Sequence, residues 1–127
     1  MNLDAIGIVS KDLKKSAAFY GLFGISFQAM GGGDHLEGST PSGVRIMLDS
    51  VKLVKELNPA WAAPTGSGVV LCFKQETPKQ VDELHGKITK AGFKSVKAPW
   101  DAFWGQRYCS VLDPDGNQID IFAALNG

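Results

Sequence analysis

The feature that most constrains this chain is a repeated order of patterned segments. A strand-like run at 3–9 (LDAIGIV) leads into a helical run from about Asp12 to Phe23. Three further strand-like runs follow, at 25–30, 34–39 and 44–49. The second half begins again with a strand-like run at 69–74 (VVLCFK) and a helical run opened by Thr77-Pro78-Lys79-Gln80. A short strand near 94–97 and a hairpin of 106–112 with 117–122 complete it. Strand, helix and three strands, twice over in 127 residues, predict an α+β fold of two βαβββ modules. The chain 1–127 is expected to be one domain. Module one covers about 1–50, a linker about 51–65 and module two about 66–127. Residues 51–57 are a short helical candidate, and 58–66 are rich in Pro, Ala and Trp. Residue identity between the halves is low; the element order is what repeats.

Local signals support this parsing. Ser10 or Asp12 can cap the first helix, Leu13, Ala17, Tyr20 and Phe23 recur at helical spacing, and Gly24 suits the position just past its end. Gly31, Gly32 and Gly33 break the strand pattern and read as a flexible bulge. They lack the Lys and the following helix of a phosphate loop. Thr77, Pro78 and Gln80 have the spacing of an N-cap, a Pro at the first helical position and a capping box. Val81, Leu84, Ile88 and Ala91 then form an apolar stripe that Gly92 ends. The continuous apolar run 69–74 reads as a strand buried on both faces. Asp113-Pro114-Asp115-Gly116 matches a type I turn.

Composition excludes several classes. With 44% apolar and 20% charged residues the chain is neither disordered nor coiled coil. Thirteen basic and thirteen acidic residues cancel, which argues against a protein that grips nucleic acid through its phosphates. No apolar run approaches the ~20 residues of a membrane span. No basic region followed by an apolar stretch is visible after Met1, so a cytoplasmic protein is expected. Cys72 and Cys109 stand in apolar contexts without zinc-ligand or redox-pair spacing, and read as buried thiols of a reducing compartment.

Strand side chains alternate faces. If Asp113 pairs with Asn117, one face of the second hairpin carries Tyr108, Ser110, Gln118, Asp120 and Phe122. The other carries Cys109, Val111, Ile119 and Ile121. The first hairpin places His35, Glu37, Ser39, Arg45, Met47 and Asp49 on one face and Leu36, Val44, Ile46 and Leu48 on the other. The apolar faces suit helix cover. The mixed faces combine aromatic and apolar walls with a few polar groups, as small-molecule pockets do. An ordinary wet sheet face is the alternative. Trp100, Phe103, Trp104 and Tyr108 crowd into PWDAFWGQRY, a candidate pocket wall or, alternatively, a core or interface cluster. Trp61 reads as pinning the linker. His35 reads either as a ligand contact or as a structural partner of Asp49, and His85 as structural. Arg45 is the better placed of two candidate anion contacts, since Arg107 has the opposite parity.

LDAIGIVSKDLKKSAAFYGLFGISF at 3–27 and WGQRYCSVLDPDGNQIDIF at 104–122, taken together, resemble the vicinal oxygen chelate superfamily of glyoxalases, bleomycin resistance proteins and dioxygenases. The resemblance implies that the two modules form a curved mixed sheet around a cleft, with a homodimer that often pairs modules across subunits. Metal enzymes of this group place ligands at four equivalent points, which here are Ala5, Met47, Val70 or a neighbour, and Asp120. Only Asp120 is a ligand for a hard or borderline metal, so no metal and no other cofactor is expected. The chain then resembles the metal-free, bleomycin-resistance-like branch.

The function this implies is binding, with no catalytic residues. The expected ligand is a hydrophobic or aromatic small molecule, an antibiotic or a metabolite. The expected contacts are His35, Glu37, Arg45, Met47, Trp100, Phe103, Trp104, Tyr108, Ser110, Asp120 and Phe122. The alternative is a metal-dependent lyase or dioxygenase with a non-standard site drawn from His35, Glu37 and Asp120.

Overall fold

The computed structural model describes residues 1–66 and 68–126. The chain divides into two compact units, Met1–Pro64 and Thr65–Gly127. In the first, β1 (Ala5–Ser10), α1 (Leu13–Gly21), β2 (Gln28–Ala29), β3 (His35–Ser39) and β4 (Arg45–Ser50) precede α2 (Val51–Leu57). In the second, β5 (Leu71–Lys74), α3 (Pro78–Lys90), β6 (Ser95–Ala102), β7 (Gln106–Leu112) and β8 (Gln118–Ala124) repeat the order. Each unit holds one four-stranded mixed sheet, β1-β4-β3-β2 and β5-β8-β7-β6. In both, the first strand runs parallel to the last and the other pairs are antiparallel. The fold is α+β, as the element order predicts. No helix among the described residues is long and apolar enough to cross a membrane.

Helix ends follow their sequence signals. The Asp12 side chain accepts from Lys15 N–H at 3.1 Å and caps α1. Thr77 and Gln80 close a capping box at α3, satisfying donors that the first turn leaves free. The helices cover one face of each sheet. Ile8, Ile46 and Leu48 are buried with Phe19 and Tyr20 of α1, whose rings meet edge to face at 4.9 Å. The buried side of α1 is Ser16, Phe19 and Tyr20 rather than the expected Leu13, Ala17, Tyr20 and Phe23. Ser16 is tolerated there because its hydroxyl lies 2.6 Å from that of Ser10 on β1, so both polar groups are satisfied. In the second unit Val81, Leu84 and Ile88 of α3 pack over Cys109, Val111, Ile119 and Ile121, all buried.

Four expectations change. The run 25–30 contributes only Gln28 and Ala29 to the ladder, because Ile25 turns into the core and the 26–27 backbone passes close over Gly38. The run 69–74 shortens to Leu71–Lys74 and is not buried on both faces: Val69 is 72% exposed and Cys72 is also exposed. The reason is position, since β5 is an outer strand with β8 as its only ladder neighbour among the described residues, while α3 packs on β6, β7 and β8. Only Cys109 is the expected buried thiol. The strand near 94–97 extends to Ala102, with register shifts between Ser95 and Lys97 and between Lys97 and Trp100. Those irregularities and Pro99 hide it from a period-two reading.

Candidate functional site

Both hairpins have the predicted register, so both mixed faces exist. In the first unit β3 and β4 pair His35 with Asp49, Glu37 with Met47 and Ser39 with Arg45. The charged groups on this face join in a row of alternating sign. Arg45 Nη2 donates to Asp4 Oδ2 at 2.6 Å, and Arg45 Nη1 donates to Glu37 Oε1. Glu37 Oε2 lies 2.7 Å from His35 Nε2, and His35 Nδ1 pairs with Asp49. The hydrogen bond to Asp49, reinforced by that to Glu37, raises the His35 pKa above its ordinary value. The hydrogen bond from His35, followed by that from Arg45, holds Glu37 below the usual carboxylate range. When protonated, His35 can donate from both ring nitrogens, one to each carboxylate. Beside the row a concavity of about 510 Å³ is lined by Ser26, Gln28, Met30, Glu37, Ser39 and Arg45. Met47 stands opposite Glu37 and beside Gly7 of β1.

In the second unit Tyr108 pairs with Phe122 and Ser110 with Asp120 across β7 and β8. Asp120 is only 7% exposed, and its carboxylate accepts from three side chains. Ser110 Oγ donates to Oδ1 at 2.7 Å, Gln118 Nε2 donates to Oδ1 at 3.0 Å, and the Tyr108 hydroxyl donates to Oδ2. Burial, followed by the hydrogen bond to Asp120, pushes the Tyr108 phenol well above its ordinary pKa, so it remains protonated. A chain of rings adjoins this centre. Trp100 meets Trp104 edge to face at 5.5 Å, Trp104 meets Tyr108 likewise at 5.3 Å, and Tyr108 stacks on Phe122 at 6.1 Å. Trp104 is 47% exposed and Phe103, edge to face against it, is 92% exposed. Trp104 Nε1 donates to Gln106 at 2.8 Å, which fixes its ring.

The structure therefore gathers the proposed contacts into two groups. His35, Glu37, Arg45 and Met47 share the first unit's mixed face. Trp100, Trp104, Tyr108, Ser110, Asp120 and Phe122 form the aromatic centre of the second, with Phe103 at its rim. Sequence reasoning missed Asp4, which lies before β1 and meets Arg45 only through the parallel β1–β4 pairing. It also missed Cys72, which the parallel β5–β8 register sets opposite Asp120 and near the Tyr108 hydroxyl. Parallel registers have no turn from which they can be read. Arg107 has the expected opposite parity: its Nε donates to Asp82 of α3 at 2.9 Å. His85 Nε2 lies 2.7 Å from Ser95 Oγ, and burial lowers its pKa.

The residues at the four family metal positions do not fit a metal. Ala5 has no donor, Met47 offers a thioether, Val70 offers none though its neighbour Cys72 carries a thiol, and the Asp120 oxygens already accept three hydrogen bonds. Among the described residues no group of three or more His, Cys, Asp and Glu side chains is arranged to hold an ion.

The sequence matches the model of the glyoxalase/bleomycin resistance protein/dioxygenase superfamily over residues 2–121. The chain belongs to this superfamily. Solved structures of similar fold agree. A glyoxalase/bleomycin resistance protein/dioxygenase family enzyme from Burkholderia phytofirmans superposes with a TM-score of 0.88 at 22% identity, covering 98% of this chain and 100% of that one. A glyoxalase-related enzyme from Fulvimarina pelagi gives 0.82 at 22% identity, covering 96% and 87%. A lactoylglutathione lyase from Agrobacterium tumefaciens gives 0.71 at 18% identity, covering 96% and 92%. No curated protein matches the sequence. At these identities the likeness establishes the superfamily fold and leaves the chemistry to be argued from the residues.

Proposed function

We propose that this superfamily member is a metal-free small-molecule binding protein that holds a hydrophobic or aromatic ligand, an antibiotic or a metabolite, by contact alone. The observation that carries the reading is the ring chain Trp100–Trp104–Tyr108–Phe122 around Asp120 on the mixed face of the second sheet. Rings set at right angles offer both an edge and a face to a planar guest, and they lose little conformational freedom on binding. The donor set supports the same reading. Glyoxalase and dioxygenase chemistry of the superfamily's metal enzymes needs an ion to polarise an oxygen, and the four positions that would hold it carry Ala5, Met47, Val70 or a neighbour, and Asp120. A non-standard site would have to use His35, Glu37 and Asp120, each of which is committed to protein partners.

Fluorescence titration of the wild type and of Trp104→Ala with planar aromatic antibiotics and with 1-anilinonaphthalene-8-sulfonate tests the proposal. The wild type should show saturable quenching and a ligand-dependent rise in Tm, because a ligand that binds only the folded state stabilises it. Trp104→Ala should lose about tenfold or more in affinity while its own Tm changes little, because Trp104 is half exposed. Absence of saturable binding would overturn the reading. Binding or turnover that requires added Zn, Ni, Fe or Mn would replace it with a metal-dependent lyase or dioxygenase.

A further inference from the structure

We propose that the polar centre of the second unit selects ligands that donate a hydrogen bond, because Asp120 consumes the protons of the groups around it. The inference deepens the binding function proposed above and rests on it. A hydroxyl has one proton and two lone pairs. Tyr108 Oη and Ser110 Oγ both spend that proton on the Asp120 carboxylate, as Gln118 spends one amide hydrogen. What the two hydroxyls have left is lone pairs, on Tyr108 Oη and Ser110 Oγ, while Gln118 keeps its carbonyl and one further amide hydrogen. Cys72 lies within hydrogen-bonding reach of the Tyr108 hydroxyl and directs its weak S–H donor toward the Val70 carbonyl at 4.0 Å. The other nearby donors of this sheet lie on β6, where Lys97 Nζ rests over the Trp100 ring at 4.7 Å and Trp100 Nε1 is buried.

The chemical consequence is specific. A planar guest resting on Tyr108 and Phe122 brings its ring edge to an acceptor-lined centre. An N–H or O–H on that edge finds a partner. A carbonyl or pyridine-type nitrogen meets another lone pair and strands both groups without a bond. Sites built around one polarity reject the opposite one strongly, since the mismatch leaves desolvated polar groups unpaired.

Indole and quinoline are bicyclic probes of opposite polarity: indole offers a donor and no acceptor in its ring plane, quinoline the reverse. Their affinities, and the residues that move, can be read by ¹H–¹⁵N NMR titration of the whole chain at pH 7.5. The wild type should bind indole about tenfold or more tightly than quinoline, with shifts centred on β7 and β8. Asp120→Asn should abolish or reverse the preference. Oδ1 receives two donors and Oδ2 one, so the amide of the variant places its oxygen toward Ser110 and Gln118 and its NH₂ toward Tyr108. Tyr108 then accepts from Asn and turns its own proton to the ligand. Tyr108→Phe keeps the ring and frees Asp120 Oδ2, a stronger acceptor than the phenol it replaces, so it should keep or sharpen the preference for indole, and it tests the idea even if Asp120→Asn does not fold. Equal wild-type affinity for both probes, or a preference for quinoline, overturns the selectivity and leaves the binding function standing. Failure of both probes to bind at millimolar concentration overturns the two together.

Discussion

His35 Nε2 lies 2.7 Å from Glu37 Oε2, two residues along the same strand. Residues i and i+2 share a strand face, so this pair is built by β3 alone; Asp49 and Arg45 are added by pairing with β4. The result is an imidazole between two carboxylates, with a guanidinium on the far side of one of them. Such an array has a defined pH window. His35 has a raised pKa in the folded state, so its contribution to stability is complete below the unfolded value of 6.5 and is lost as pH rises through the folded value. Glu37 has a lowered pKa, so its contribution is present above 4.5 and is lost as pH falls through its folded value. The row should contribute most between about pH 4.5 and 6.5.

The His35 imidazole should therefore titrate above 6.5 when followed by NMR. Tm should fall from pH 6 toward pH 9 by more in the wild type than in His35→Gln. A His35 midpoint at or below 6.5 would contradict the bonding described.

Gly38 and Gly7 make opposite predictions from the same residue type. A Cβ on Gly38 would sit 2.5 Å from Ile25 Cγ2 and 2.8 Å from the Ser26 carbonyl oxygen, and the second contact is backbone that cannot swing aside. Gly38→Ala should destabilise by about 1–3 kcal/mol in chemical denaturation. A Cβ on Gly7 would meet only the flexible end of Met47, at an ordinary 3.7 Å. Gly7→Ala should be neutral or slightly stabilising, because it removes backbone freedom from the unfolded chain. Equal effects at the two sites would contradict the close passage of 25–27 over β3.

The two thiols should differ sharply in reactivity. Cys72 is exposed, whereas Cys109 is buried and its thiol is pushed up to about 12, first by loss of solvation. Thiolate is the reactive form. A disulfide reagent at pH 8 should modify one thiol per native chain rapidly, at Cys72 by peptide mapping, and the second only on unfolding. Rapid reaction at both would mean that the α3-covered face of the second sheet is open.

Much of the fold was legible because local rules agreed with one another. Thr77, Pro78 and Gln80 mark the start of α3, and α2 occupies 51–57 as read. The Asp113 turn sets the β7–β8 register: its Oδ1 accepts from Asp115 and Asn117 backbone amides at 2.9 and 2.8 Å, so the pairing of Ser110 with Asp120 follows from the turn. The membership of each mixed face was readable for the same reason, since a hairpin register and a period of two assign every side chain to a side.

What sequence alone determined, then, was the order of elements, the two hairpin registers and the residues that share each face. These depend on interactions within a few residues or across one turn. Tertiary structure decided the rest. It paired β1 with β4 and β5 with β8, which brought Asp4 to Arg45 and Cys72 beside Asp120. It left β5 at a sheet edge outside the cover of α3, exposing residues that read as core. It also set the side-chain hydrogen bonds within each face, so that Asp120 became the group that orients Tyr108, Ser110 and Gln118. Partners separated by a helix and two strands leave no periodic trace, and the geometry that gives a carboxylate its role arises only when the chain has closed around it.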